Sequence, residues 1–177
     1  NKTSETIIEQ IDTLSNIASE FSDFAKMPKA DIEKIYFANV VEAAVELYSD
    51  NANIISLYCP SKEIWVKADR EQLSRVCSNL ITNALQATEE HKQPKIEVSL
   101  KKENGFVLLE VKDNGEGIPV EIQDKIFQPN FTTNSSGMGL GLAMSEQIIT
   151  SFHGKIWFET RLGKGTQFFV QLPLAEA

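Results

Sequence analysis

Two cysteines and two histidines are all the thiol and imidazole side chains in this chain of 177 residues. Cys59 and Cys77 are far from CxxC spacing and lie in apolar surroundings, so they read as buried thiols in a reducing compartment. Neither His91 nor His153 has a second histidine or a cysteine nearby, which disfavours a zinc site. Positive charge is also short. Seventeen Lys and Arg stand against twenty-five Asp and Glu, a net charge of −8 and a pI near 4.8. That balance disfavours a nucleic-acid or anionic-membrane surface. No apolar run approaches the ~20 residues of a membrane span, and no signal-peptide pattern is present. The first residue is Asn1, not Met, which suggests a piece of a longer chain. The apolar fraction of 42% is ordinary for a globular domain with a core.

Glycine is scarce, and its placement is uneven. Seven of the nine fall in three clusters, "DNGEGIP", "GMGLG" and "GKG", with only Gly105 and Gly154 outside. Gly137, Gly139 and Gly141 precede an apolar helical pattern over about Leu140 to Phe152. Glycine permits close backbone approach, and a helix start offers free N–H groups and a positive dipole end. Together these suit phosphate. Walker A and dinucleotide fingerprints are both excluded. Lys155 and Lys164 are followed by Ile156 and Gly165, and "GMGLG" follows the polar "FTTNSS" instead of a strand.

Along the chain, Thr3 to Lys26 reads as a long helix. Ile7, Ile11, Leu14, Ala18, Phe21 and Ala25 follow heptad spacing, an arm made to pair with other helices, and Pro28 ends it. "KIYF" is a strand candidate, and Asn39 is placed to cap the helix that follows. "NIISLYC" and "EIWVKA" read as strands. Asp69 caps a strong helix to about Glu90 with Leu73, Val76, Cys77, Leu80, Ile81, Ala84 and Leu85 on its apolar face. "KIEVSLKKENGFVLLEVKDNG" is a hairpin turning at Asn104-Gly105. Pro119 to Gly137 is long and turn-rich, the mark of a functional lid. Strands "KIWFET" and "QFFVQLP" close the chain. Strands and helices without strict βαβ alternation predict an α+β fold, a two-layer sandwich.

Two asparagines stand out on the Asp69 helix. Asn79 and Asn83 are four apart, so they share one face. Asparagine is a poor helix former, and its amide oxygen is a hard ligand suited to Mg²⁺ that also contacts phosphate. Asp113, at a strand end before Gly115 and Gly117, can accept from an exocyclic amine while the glycines bend around a flat base.

Taken in order, "NLITNALQA", "DNGEGIP", "IFQPNFTT", "GMGLGLA" and "GKGTQF" resemble the five boxes of the histidine-kinase ATP-binding domain, in the Bergerat-fold ATPase superfamily. The resemblance covers about residues 30 to 174. It implies a Bergerat sandwich over 29–177 that binds ATP with Mg²⁺, and an arm over 1–28 equivalent to the second helix of a dimerisation hairpin. By it, Asn79 and Asn83 hold the metal and Asp113 reads the adenine amine. Gly115, Gly117 and Ile118 border the base, with Thr166 beside Asp113. Gly137, Gly139 and Gly141 wrap the phosphates as a lid. Phe127, Thr132, Thr133, Met138, Leu140 and Leu142 complete the nucleotide-binding set. The implied activity is transfer of the γ-phosphoryl group of ATP to a histidine outside this chain, for relay to a response regulator. The arm implies a homodimer, and the location is cytoplasmic, reaching a membrane only through upstream segments. His91 and His153 lack the flanking pattern of a phosphoacceptor.

Two positions depart from the family. Asn134 and Gln86 stand where basic residues are common, which leaves neutralisation to Mg²⁺, backbone N–H groups and Lys92 or Lys125. The alternatives are a hydrolase of the same fold and a non-catalytic dimerisation module. Hydrolases of this kind place a glutamate where Asn79 stands, and an amide cannot act as general base. The intact asparagines and Asp113 argue against the non-catalytic module.

Overall fold

The structure is a computed structural model. It describes residues 29–51, 53–61, 63–132 and 139–175, together with Ile11 and Ser22. Those last two are helical and are the only described positions of the arm, whose heptad stripe otherwise lies outside the described residues.

Among the described residues from 29 onward, seven strands and three helices follow one another as β1 (Glu33–Tyr36), α1 (Phe37–Glu46), β2 (Ile55–Tyr58), β3 (Trp65–Ala68), α2 (Arg70–Thr88), β4 (Ile96–Glu103), β5 (Phe106–Asp113), α3 (Gly141–Ser151), β6 (Lys155–Arg161) and β7 (Gly165–Pro173). Short 3-10 turns cover Ser49–Asn51 and Val120–Ile122. A five-stranded mixed sheet runs β2-β4-β5-β7-β6, in which only β2 and β4 pair in parallel. β1 and β3 form a separate antiparallel pair. The expected two-layer α+β sandwich is present.

Alternation decides the layers. Val98 and Leu100, Val107, Leu109 and Val111, and Val170 and Leu172 are buried on one sheet face. Against them lie α1, α2 and α3, through Val40, Val41, Leu73, Val76, Leu80, Ile81, Ala84, Ile148 and Ile149. The other face mixes polar and aromatic groups: Ser99 Oγ donates to Glu110 Oε2 at 3.1 Å, Lys101 Nζ lies 3.5 Å from the same oxygen, and the Trp157 and Phe169 rings stack beside them. The β4–β5 hairpin turns where expected, with Asn104 at φ 50° and Gly105 at φ 84°, both in the left-handed region that a two-residue hairpin turn requires.

Asp69 caps α2. Its Oδ1 accepts from Gln72 N at 3.0 Å, and its Oδ2 accepts from Asp31 N at 2.9 Å, tying β1's lead-in to the helix start. Partial desolvation raises the Asp69 pKa, but backbone donors from Gln72, Asp31 and Glu71 outweigh it and hold the carboxyl below its ordinary value. The cap of α1 differs from expectation. The helix begins at Phe37, two residues before Asn39, and has no side-chain cap. Phe37 N donates instead to Ile64 O at 2.8 Å, and Phe37 itself is fully buried, so core burial and a backbone acceptor set this start. Phe37 accordingly leaves the "KIYF" strand. Cys77 is buried, and desolvation pushes its thiol up to about 12, so it is inert. Cys59 is only half-buried, its Sγ donating to Ser61 O at 3.3 Å.

Candidate nucleotide site

The site is built along one stripe of α2. Asn79, Asn83 and Ala87 recur every four residues, so they lie on one face over about 12 Å of helix. Each end of the stripe touches a different glycine cluster.

At the C-terminal end, Gly115 is pressed on the Ala87 carbonyl, leaving no room for a Cβ. The Ala87 oxygen accepts from Glu116 N at 3.3 Å. The loop after β5 is thereby folded across the end of α2. Asp113, the last residue of β5, is 4% exposed. Its Oδ1 accepts from Gly115 N at 2.8 Å and from Thr166 N at 3.2 Å. Both bonds converge on one oxygen, and among the described residues Oδ2 receives none while not being sealed from solvent. Burial raises the Asp113 pKa. The Gly115 and Thr166 amides pull it back in part, Glu116 adds to the rise, and the net direction is up.

The wall beside Asp113 is the β6–β7 hairpin. Thr160 and Thr166 are cross-strand partners. Thr160 Oγ1 accepts from Ile118 N at 2.9 Å, donates to Gly165 O at 3.1 Å and lies 3.0 Å from Thr166 Oγ1. Gly165, at φ 103°, is pressed on the Asp113 carbonyl. Ile118 packs against the core, and Gly117, at φ 74°, sits on the Arg161 carbonyl. These contacts bring Asp113, Gly115, Gly117, Ile118 and Thr166 into one place.

At the N-terminal end of the stripe, Asn79 meets α3. Asn79 Nδ2 donates to Ser145 Oγ at 3.0 Å, and Ser145 Oγ donates to Gly141 O at 2.8 Å. A Cβ on Gly141 would run into Asn79 Oδ1. Gly139, at φ 67°, is pressed on the Phe131 backbone, so the chain on either side of residues 132–138 meets there. Leu140 is buried, and Leu142 packs against the core. A depression of about 230 Å³ beside Asn79 is lined by Arg75, Leu140, Gly141, Met144, Ser145 and Ile148. Between the two ends sits Asn83, half-buried, its side chain making no hydrogen bond among the described residues.

The lid expectation divides. Residues 119–131 are held down by Ile126, 7% exposed, and by Phe127, whose ring lies 6.1 Å from that of Phe158. Thr132 is exposed. Thr133, Gly137 and Met138 lie outside the described residues.

Sequence reasoning missed three residues here. Thr160 was detectable as the threonine facing Thr166 across a three-residue hairpin loop, a favoured cross-strand pair. Ser145 lies one helical turn after Gly141, where a hydroxyl bonds back to the carbonyl. Arg75 lies one turn before Asn79, and its Nη1 is 3.7 Å from Met144 Sδ.

Residues 68–176 match the family described as histidine kinase-, DNA gyrase B-, and HSP90-like ATPase. Among curated relatives, the sensor histidine kinase ZraS of Escherichia coli (strain K12) is 30% identical over 174 residues, covering 96% of this chain and 37% of ZraS. The chain thus spans little more than a third of that relative. The nucleotide-free catalytic domain of the histidine kinase ThkA superposes with a TM-score of 0.72 at 29% identity, covering 81% of this chain and 95% of that one. ThkA in complex with the response regulator protein TrrA gives a TM-score of 0.80 at 28% identity, over 99% of this chain and 51% of ThkA. Family match and sheet order agree: the chain belongs to the histidine kinase-, DNA gyrase B- and HSP90-like ATPases, and its fold is that of the histidine-kinase catalytic domain.

Proposed function

We propose that this chain is the ATP-binding kinase core of a two-component sensor histidine kinase, divided into a helical arm over 1–28 and a catalytic domain over 29–177. The observation that carries the proposal is the Asp113 carboxylate, fixed through Oδ1 with Oδ2 left open, at one end of a stripe whose other end is the α3 start. A fixed acceptor beside glycines selects an exocyclic amine, as adenine has. The helix start and its glycines then receive the phosphates.

The site fits Mg²⁺ at Asn83. Its amide is uncommitted among the described residues and lies one turn from Asn79. Asn79 is more constrained, since its Nδ2 donates to Ser145 Oγ and its Oδ1 stands close against Gly141. Asn83 is therefore the main protein ligand, and Asn79 holds α3 in register with α2. When bound, the metal neutralises phosphate charge. The protein's own contribution is positioning: Asp113 and Thr166 hold the base, Gly115 and Gly117 keep the loop close to it, and Gly137, Gly139 and Gly141 border the phosphate tail.

Asn79 also weighs against the hydrolase reading. An amide already donating to Ser145 has no basic lone pair with which to activate water. Nor do the two histidines look like acceptors. His91 follows α2 in a turn, its Nδ1 accepting from Gln93 N at 3.2 Å, and His153 stands at φ 60° just past α3. The acceptor is placed on a bundle helix outside this chain, with a response regulator as the downstream partner and the arm as the dimer contact. No helix among the described residues is long and apolar enough to cross a membrane. The reading places the core in the cytoplasm.

Calorimetry with Mg²⁺ and ATP tests the reading. The chain is expected to bind, and Asn83→Ala to lose most of the Mg²⁺-dependent affinity with an unchanged melting temperature. Wild-type affinity in that variant would remove the metal assignment.

A further inference from the structure

We propose that Thr160 is a positioning residue that sets base selectivity, by consuming the hydroxyl proton of Thr166 so that Thr166 can only accept. The inference rests on the ATP reading above and concerns a residue that reading does not use.

A threonine hydroxyl has one proton and two lone pairs. Thr160 Oγ1 lies 3.1 Å from Gly165 O, a carbonyl that can only accept, so the Thr160 proton goes there. Its lone pairs then serve Ile118 N at 2.9 Å and Thr166 Oγ1 at 3.0 Å. With the Thr160 proton spent, Thr166 must be the donor between the two hydroxyls. Thr160 is saturated, with one bond donated and two accepted. Thr166 is left with lone pairs only for anything bound beside Asp113. Its own amide fixes it there, donating to Asp113 Oδ1 at 3.2 Å.

Thr166 Oγ1 and Asp113 Oδ2 are therefore both left as acceptors, on two residues joined by the bond from Thr166 N to Asp113 Oδ1. An exocyclic amine offers two protons and suits both. The carbonyl oxygen of guanine offers none and meets lone pairs at each. Were Thr160 unable to accept, the Thr166 hydroxyl could rotate and donate to that carbonyl. Selectivity at this point thus depends on a residue that need not touch the base.

The test is calorimetry of the full chain with Mg²⁺ and either ATP or GTP, on wild type, Thr160→Val and Thr160→Ser. Valine keeps the branched shape suited to β6 but removes the hydroxyl. Serine keeps the hydroxyl. Wild type is expected to prefer ATP by at least about tenfold, the cost of leaving a polar group unpaired. In Thr160→Val the preference should fall to about threefold or less, with ATP weakened and GTP held or improved, and Thr160→Ser should restore it. A parallel loss of both nucleotides in Thr160→Val, ratio unchanged, would show a merely structural role and overturn the relay. So would a Thr160→Ser variant that folds yet behaves as valine. If wild type binds neither nucleotide, the ATP reading fails and the relay with it. If wild type binds ATP and the ratio does not move, only the relay fails.

Discussion

Asp113→Asn separates the chemistry of this site from its architecture. Asparagine is nearly isosteric, and its amide oxygen can take over both bonds at Oδ1, from Gly115 N and Thr166 N. The amide NH₂ then occupies the place of Oδ2. There it is a donor facing a donor, since an adenine amine has only protons to offer. The loss is at least one hydrogen bond to a charged acceptor, about 1.5–3 kcal/mol, or roughly 10- to 150-fold in ATP affinity. GTP should lose nothing or gain, because its carbonyl now meets a donor. Folding should move the other way. Burial holds the Asp113 carboxyl above its ordinary pKa, so the ionised group costs the folded state stability at neutral pH. Its removal should leave the melting temperature unchanged or raised. The same shift fixes a pH dependence. A raised folded pKa means the folded state takes up the proton first, so Asp113's stability cost fades as pH falls through that pKa, while ATP affinity declines over the same window as Oδ2 gains a proton. In Asp113→Asn this acid limb should be missing. Calorimetry with both nucleotides and a thermal melt read all of this. Wild-type ATP affinity in the variant, or a lower melting temperature with both nucleotides equally weakened, would refute the reasoning.

The other expectations are shorter. Gly141→Ala should destabilise the fold and weaken nucleotide binding, because a Cβ there meets Asn79 Oδ1 at the α2–α3 seam; adding Asn79→Ala, which removes the obstructing amide, should recover most of the melting temperature. A double variant no more stable than Gly141→Ala would show that the seam is not the obstacle. Asn83→Ala should separate metal-dependent binding from stability, as set out above.

Much of the architecture was legible because local chemistry and global packing agree. Asp69 announces α2 as a cap, and its oxygens take the expected amide at Gln72. Asn104-Gly105 demands a tight hairpin and makes one. Asn39 misled for a physical reason: capping propensity is worth about 1 kcal/mol, less than burying Phe37, and the burial set the start of α1. The glycines were read as bordering a base and phosphates, and the structure adds a second demand on them. Gly115, Gly139, Gly141 and Gly165 are each demanded by a specific protein neighbour: the Ala87 carbonyl, the Phe131 backbone, the Asn79 amide and the Asp113 carbonyl. Such long-range contacts leave no mark in a single sequence. Thr160 is legible one step further on, once the three-residue loop between β6 and β7 is read as pairing it with Thr166.

The central claim is that this core binds ATP and passes its γ-phosphoryl group to a histidine on another helix. The direct measurement incubates the chain with γ-labelled ATP and Mg²⁺, alone and with a separate two-helix hairpin carrying an acceptor histidine. The account predicts no label on this chain and slow release of phosphate when it is alone. With the hairpin present, acid-labile, base-stable label should appear on the hairpin, at a rate limited by weak docking. Label on His91 or His153, or rapid phosphate release without the hairpin, would contradict it.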